Sequence, residues 1–280
     1  MKRIKLVWCL GIVIGAFAIW FLTNFALRDY LDAKKLIKSI RNQDLSAIEE
    51  IIHKNPKCIN TYPSITTRGC HSAMNARVNY PLNEACVTGN IDIIELLIEN
   101  GADVNCNDGR TPLSITYTSK VDNWYNISLI LIENGASLDY TTEYTSGQSS
   151  ILQDIVTSRP GANAPDYIAD NSDEVIKAFT FALENCNHSN VEWMRVLQDC
   201  VIYDRIEIVK ILLDQGYCDV NDTSVGMTAL MFAARDSTLE MVQLLLDYGA
   251  DKSHVSYKGK TAYDYAVEFQ KEDMIAILQN

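Results

Sequence analysis

Histidine is scarce in this 280-residue chain, which has only four, and none lies in a pattern typical of a nucleophile or a metal site. There is no Cys-x-x-Cys pair. The residues Gly259-Lys260-Thr261 resemble the end of a phosphate-binding loop, but the motif requires glycine where His254 stands. These absences predict no catalytic residues, no metal and no cofactor, and we expect no small-molecule substrate.

Basic residues are also in the minority, with 24 Lys and Arg against 36 Asp and Glu, for a net charge of -12. The first 27 residues contain three basic groups and no acid, so the rest has 21 basic against 36 acidic residues, or -15. This balance argues against nucleic-acid binding through phosphates and against an anionic lipid surface. It favours a soluble folded body that binds a protein partner, and a basic partner would complement its charge.

Cysteine does not form a disulfide scaffold, because seven of the eight lie outside the N-terminal apolar run and their spacing is irregular. Residues 61–79 and their surroundings contain two histidines and two cysteines that allow three interpretations, namely His53, Cys58, Cys70 and His71. They could hold zinc, although the spacing matches no standard site. Cys58 and Cys70 could form a disulfide, or the segment could be a loop with unlinked thiols, which we favour.

The N-terminal segment is the longest apolar stretch of the chain. Residues 1–5 are basic, residues 6–27 contain no charge, and the run from Leu6 to Leu22 is wholly apolar or small. That length predicts a transmembrane anchor. A cleaved signal peptide is the alternative, since Ala16-Phe17-Ala18 resembles a cleavage site, but the apolar run continues past it.

The orientation of this anchor is less clearly encoded. The short basic N-terminus favours the body of the chain on the extracytoplasmic side, which is our expectation. Five basic residues follow the run closely and weaken the asymmetry, and the unpaired cysteines suit a reducing compartment better. Those basic residues are Arg28, Lys34, Lys35, Lys38 and Arg41.

A 33-residue period runs through the body. It separates Gly216 from Gly249, and Thr228-Ala229 from Thr261-Ala262. Leucine-rich segments ending in glycine also precede Gly101 and Gly135. Threonine is a favoured helix N-cap, proline costs nothing at the first helical position, and glycine ends a helix in the left-handed conformation. Each period therefore predicts two short helices that bury their apolar faces by stacking on neighbours.

This pattern resembles the ankyrin repeat, with Thr111-Pro112-Leu113 at a first helix and Leu96-Leu97-Ile98-Glu99-Asn100-Gly101-Ala102-Asp103-Val104-Asn105 at a second helix and its end. The resemblance implies an all-α solenoid of about seven helix-turn-helix units over residues 34–280, preceded by one transmembrane helix. Pro56 and Cys186 replace the expected glycines, and 159–171 is an insertion. The predicted units are 36–60, 81–105, 112–139, 151–187, 196–221, 229–253 and 262–280.

The resemblance also implies where a partner would bind, because ankyrin-like stacks use the first helices and the projecting loops, or fingers, as a concave surface. By position, we expect a preformed acidic surface of this kind. The predicted partner-binding residues of the fingers are Asp108, Tyr140, Glu143, Tyr144 and Tyr257. Those of the first helices are Asn83, Glu84, Tyr117, Arg235 and Asp236.

The sequence thus predicts a non-enzymatic protein-interaction module tethered at a membrane. Two other classes stay open at this point. One is a protective, chaperone-like or immunity-type protein that stabilises or inhibits one partner. The other is an enzyme with a site in the insertions at 61–79 or 159–171, which contain no catalytic pair.

Overall fold

The computed structural model describes residues 27–63, 80–107, 109–119, 121–144, 147–157, 173–224 and 226–279, without the side chains of 141–149 and 190. The chain divides into two compact units, 1–112 and 113–280. The run at 6–22 lies outside the described residues, as do 64–79 and 158–172. From residue 27 onward, no described helix is long and apolar enough to cross a bilayer.

Helices come in pairs along the described chain, a first helix followed closely by a second. Residues 27–41 form α1. The other helices are α2 (Leu45–Lys54), α3 (Pro81–Thr88), α4 (Ile91–Glu99), α5 (Pro112–Thr118), α6 (Trp124–Glu133), α7 (Ile151–Thr157), α8 (Asp173–Asn185), α9 (Trp193–Ile202), α10 (Ile206–Asp214), α11 (Ala229–Asp236), α12 (Leu239–Asp247), α13 (Ala262–Glu268) and α14 (Glu272–Leu278). The prediction of an all-helical repeat fold is confirmed.

Short strands occur in two of the loops between pairs. In one loop, β1 (Thr141–Tyr144) pairs antiparallel with β2 (Gly147–Ser150). In another, β3 (Thr223–Ser224) pairs antiparallel with β4 (Met227–Thr228). These two loops, each at a finger position of the repeat, are therefore hairpins, which the repeat pattern did not indicate.

In the C-terminal unit, first helices pack on first helices and second helices on second helices. The helix α11 packs between α9 and α13, and α12 packs against α14. Six of the eight residues of α11 are buried, those from Ala229 to Ala234. This burial explains why the helix contains several small residues. Alanine at Ala233 and Ala234 lets the neighbouring helices approach closely, so the core is continuous from one pair to the next.

Glycine ends the second helices as the sequence predicts. Gly249 has φ +85, and the following Ala250 N–H donates to the Leu245 carbonyl at 3.0 Å. Gly216 has φ +71 and is followed by the same bond, from Tyr217 N–H to the Leu212 carbonyl. These bonds satisfy carbonyls that the helix itself leaves without a donor.

Asparagine side chains link the end of one repeat to the next. Asn221 Nδ2 donates to the Gly249 carbonyl at 3.2 Å, and its Oδ1 accepts from Asp251 N–H at 2.7 Å. In the N-terminal unit Asn60 makes the same two bonds, to the Gly101 carbonyl and from Asp103 N–H, both at 2.8 Å. The side chain fits because it offers a donor and an acceptor together.

Thr261 and Asp264 close the start of α13 with reciprocal hydrogen bonds. Thr261 Oγ1 accepts from Asp264 N–H at 3.3 Å, and Asp264 Oδ2 accepts from Thr261 N–H at 2.8 Å. The hydrogen bonds from the backbone and then the side chain of Thr261 lower the pKa of Asp264 from its usual value.

We expect Thr261→Ala to lower the free energy of unfolding by about 1 kcal/mol, because a cap of this kind typically contributes that much. The pKa of Asp264 should rise towards its unfolded value. Since the folded pKa is lowered, the contribution of Asp264 is present above the unfolded pKa and is lost as pH falls through the folded pKa. Urea unfolding followed by circular dichroism at neutral and acid pH checks both points. The exposed Thr223→Ala is the control, and an equal loss there would contradict the cap assignment.

Candidate partner-binding surface

Asn83 and Glu84 lie inside the N-terminal unit, which corrects their prediction as partner-facing residues. Glu84 Oε1 accepts from Arg41 Nε at 2.8 Å and Oε2 accepts from the terminal nitrogen Nη2 at 3.2 Å. The hydrogen bond to Glu84 raises the pKa of Arg41. Asn83 Nδ2 donates to the Arg110 carbonyl at 3.2 Å, and its Oδ1 accepts from Cys106 Sγ at 3.6 Å. Both side chains are buried because they satisfy internal partners.

Tyr117 and Tyr140 are likewise buried, in the C-terminal unit, and their prediction as partner contacts is corrected as well. The ring centroid of Tyr117 lies 5.6 Å from that of Trp124, and burial raises the pKa of Tyr117 to about 12. Tyr140 Oη donates to Oδ2 of the buried Asp154 at 3.0 Å. A buried tyrosine hydroxyl needs such a partner, so Tyr140 serves folding.

The structure does not describe the side chains of three predicted residues. Asp108 is not described, and Glu143 and Tyr144 are described only in their backbone, on β1. Their role stays a prediction. Among the predicted acids, Asp236 is therefore the one that the described residues place at the surface.

Tyr257 stands at the tip of the last finger with 65% of its surface exposed. The finger beneath it is a tight turn, in which Ser256 N–H donates to the Lys260 carbonyl at 2.8 Å and Gly259 N–H donates to the Ser256 carbonyl at 2.8 Å. The Ser256 and Tyr265 hydroxyl oxygens are 3.3 Å apart, which ties the turn to α13. The ring is thus presented by a braced loop.

The preceding finger packs against the same tyrosine. Gly226, in the turn between β3 and β4, has φ +69, and a Cβ placed on it would lie 3.4 Å from Tyr257 Cβ. Any larger residue at Gly226 would therefore meet both an unfavourable backbone conformation and the tyrosine. The two fingers support each other at this point.

Arg235 and Asp236 form an ion pair at the C-terminal end of α11. Arg235 Nε donates to Asp236 Oδ2 at 2.7 Å, and the guanidinium carbon lies 5.2 Å from the Phe232 ring centroid. The hydrogen bond to Asp236 raises the pKa of Arg235, and Tyr257 is close enough to contribute to the same effect. The structure thus brings together Tyr257, Arg235 and Asp236.

Two residues that were not predicted complete this surface. Lys258 Nζ lies 5.5 Å from the Tyr257 ring centroid, and Lys258 forms no ion pair with any of the described residues. Val255 is 56% exposed beside them. We call Arg235, Asp236, Val255, Tyr257 and Lys258 the finger face. It is mixed in charge and not uniformly acidic, because its two cations accompany one carboxylate.

Sequence reasoning missed Val255 and Lys258 because a single valine or lysine in a loop carries no binding signal of its own. Their position in the repeat could have indicated both residues, since the stretch from Val255 to Lys260 lies at a finger position. The asparagine links could also have been predicted from the sequence, because Asn60 and Asn221 hold the same position in their repeats.

The thiols of Cys58 and Cys218 lie beside acidic side chains. Cys58 is fully buried and unlinked, and burial, helped by Asp32 and Asp29, raises its pKa to about 11. Burial also raises the pKa of Cys218 to about 12. Cys70 and His71 lie outside the described residues. Within the described ranges, no group of three or more His, Cys, Asp or Glu is placed to hold a metal ion.

The paired helices and their glycine ends define a helical-repeat protein. A family model for ankyrin repeats (3 copies) matches residues 36–142, 166–256 and 197–280. The chain belongs to the ankyrin-repeat family, as its repeat pattern predicted.

Similar proteins extend this family assignment. A putative ankyrin repeat protein of fowlpox virus is 33% identical over 95 residues, which are 33% of this chain and 14% of that protein. The E3 ubiquitin-protein ligase XBAT33 of Arabidopsis thaliana is 23% identical over 245 residues, 82% of this chain and 39% of the ligase. The chain thus spans well under half the length of these relatives.

A solved structure supports the fold itself. The crystal structure of the human ASB11 ankyrin repeat domain aligns with a TM-score of 0.57 at 24% identity, over 88% of this chain and 97% of that domain. Ankyrin repeats are generally non-enzymatic and mediate protein–protein interaction.

Proposed function

We propose that this chain is a membrane-tethered binding protein that captures a partner protein through the finger face. The observation that carries the proposal is the braced, 65% exposed ring of Tyr257. A finger does not need an exposed aromatic ring in order to fold, and tyrosine and arginine are the residues that most often dominate protein interfaces.

Rigidity supports the same proposal. Tyr257 is held by the turn below it and by Gly226 beside it, and Arg235 is held by Asp236 and Phe232. A surface whose backbone turn and ion pair are already in place loses less conformational entropy when a partner binds. The finger face therefore suits recognition with little change of shape.

The finger face can be tested with the full chain as bait on native membranes, with mass spectrometry identifying the captured protein. We expect Tyr257→Ala to weaken binding of that protein at least about tenfold, since hot-spot aromatic residues have effects of this size. Phe181→Ala is a matched control, because Phe181 is also an exposed aromatic residue but lies on α8, outside the finger face. Equal binding by Tyr257→Ala and the parent would refute the finger face.

The captured partner's activity separates tethering from a protective or inhibitory role. If the partner is an enzyme and its activity falls when the purified chain is added, the chain acts as an inhibitor. Unchanged activity supports a tether or scaffold.

The tether is the second part of the proposal, as a single-pass anchor within residues 6–27 with the repeats on the extracytoplasmic side. The support is the apolar run of the sequence and its basic flank at residues 1–5. Resistance to carbonate extraction would support an uncleaved anchor, whereas a mature N-terminus beyond residue 18 would indicate a signal peptide. A Phe181→Cys variant labelled by an impermeant maleimide on intact cells would support the extracytoplasmic side.

A further inference from the structure

A cleft on the second helices of the last three repeats has an apolar floor. It is an open depression of about 610 Å³ between α10, α12 and α14. The floor consists of Ile206, Leu239, Leu244 and Ile277, and Leu239 is 37% exposed. We call it the outer-helix cleft. It involves no residue of the finger face.

Acidic side chains surround the outer-helix cleft. Glu240 and Asp247 line it directly, and Lys210 is the one cation of its lining. Lys210 is already paired, because its Nζ donates to Glu207 Oε1 at 2.7 Å. Asp214 is near enough to act electrostatically on Lys210, as Glu240 also does. Four carboxylates thus accompany Lys210, and a second cation, Lys252, donates its Nζ to the carbonyl of the lining residue Ile277 at 2.9 Å.

Two of these acids accept hydrogen bonds from neutral donors. Asp214 Oδ1 accepts from Tyr248 Oη at 2.6 Å, and Asp247 Oδ1 accepts from Gln243 Nε2 at 2.8 Å. Neutral donors fix the position of a carboxylate but leave its charge. The rim therefore presents negative charge beside the exposed side chain of Leu239.

We propose that the outer-helix cleft binds a cationic amphipathic helix of a partner protein. The apolar stripe of such a helix, at spacings of three and four residues, would cover the floor, and its flanking Lys or Arg residues would face the acidic rim. Opposite charges at the rim would steer the encounter and fix the register, while burial of the floor supplies the affinity.

Charge decides among the possible occupants. A second copy of this chain carries a net charge of -12, so two copies repel each other at an acidic rim. An anionic membrane surface is repelled for the same reason. A basic helix meets the charge and the apolar floor together.

Three synthetic peptides can probe the cleft on the full chain held in phosphatidylcholine nanodiscs. Each is fluorescein-labelled and about 15 residues long, enough for four helical turns. The first has an apolar leucine stripe and lysine elsewhere, the second replaces lysine by glutamate, and the third scrambles the first. We expect fluorescence anisotropy, corrected for empty nanodiscs, to show at least about tenfold tighter binding of the first peptide than of the others. Binding of the first peptide should weaken as salt is raised.

Variants locate the binding to the cleft. A double variant, Glu240→Lys with Asp247→Lys, should weaken binding of the lysine peptide at least about tenfold, because it reverses the charge of the rim. Glu133→Lys is matched to Asp247→Lys, since both acids are the last residue of a second helix before its glycine. It should leave binding unchanged. Leu239→Ser changes an exposed position, so it should fold normally, as its thermal melt will show, and weaken binding about fivefold or more.

The proposal is overturned if the glutamate or the scrambled peptide binds as tightly as the first. It is equally overturned if Glu133→Lys weakens binding as much as the cleft variants, or if the cleft variants have no effect. Concentration-dependent self-association that Leu239→Ser abolishes would assign the cleft to a second copy instead.

Discussion

Replacing Arg205 with alanine is expected to lower the free energy of unfolding of the C-terminal unit by about 3–5 kcal/mol. Arg205 is 1% exposed, in the turn between α9 and α10. Its Nε donates at 3.0 Å to the carbonyl of Val156, in the last turn of α7. Carbonyls in the last turn of a helix have no donor within the helix, so the arginine both satisfies this one and places positive charge at the negative end of α7.

Two effects add in this variant. The alanine leaves a cavity, because the arginine is among the largest fully buried side chains, and it leaves the Val156 carbonyl without this donor. Arg205→Met separates them, because it keeps most of the volume and loses the donor. We expect it to cost about 1–3 kcal/mol, the cost of leaving a buried polar group unsatisfied.

Urea unfolding followed by circular dichroism, with hydrogen exchange at the amides of α7 and α10, measures these changes. Arg195→Ala is the matched control, since Arg195 is 28% exposed and its ion pair with the exposed Glu192 spans 3.8 Å. We expect Arg195→Ala to cost clearly less than Arg205→Ala, because a partly exposed ion pair contributes about 0–1 kcal/mol. A loss for Arg205→Ala as small as that of the control would refute the structural role of Arg205.

The second large effect concerns two phenylalanines of α8. Phe179 is fully buried, whereas Phe181, two residues later, is 44% exposed. We expect Phe179→Ala to cost about 3–5 kcal/mol through lost burial and the cavity it leaves. Phe181→Ala should stay within about 0.5 kcal/mol.

Making the same Phe→Ala change at residues 179 and 181 thus tests which face of α8 packs against the core. This matters because α8 belongs to the repeat whose sequence departs most from the pattern, with Cys186 after it in place of glycine. The shift of the urea midpoint at unchanged slope gives the two values. Equal values, or a larger loss for Phe181→Ala, would mean that the helix faces the core differently.

The candidate site was only partly predictable. The sequence pointed to Tyr257, Arg235 and Asp236, whose side chains reach the surface, and their part in binding stays a prediction. It pointed equally to Asn83, Glu84, Tyr117 and Tyr140, which are buried. Position in a repeat identifies the loop or helix of a residue, but which of its faces is covered depends on neighbouring repeats.

The buried cases show the physical reason. Glu84 is polar, and an isolated polar residue on a short helix is expected at the surface. It is buried because Arg41, 43 residues earlier, supplies two hydrogen bonds. No local pattern records a partner so far away in the chain.

The repeat was readable from local pattern. Thr261 as a cap and Gly216 and Gly249 as helix ends are dictated by backbone geometry within a few residues, and the 33-residue period is visible in the spacing of these residues. The outer-helix cleft and the finger face became visible in the folded chain. Both join residues from different repeats, and their exposure depends on how neighbouring side chains pack, which no single repeat contains.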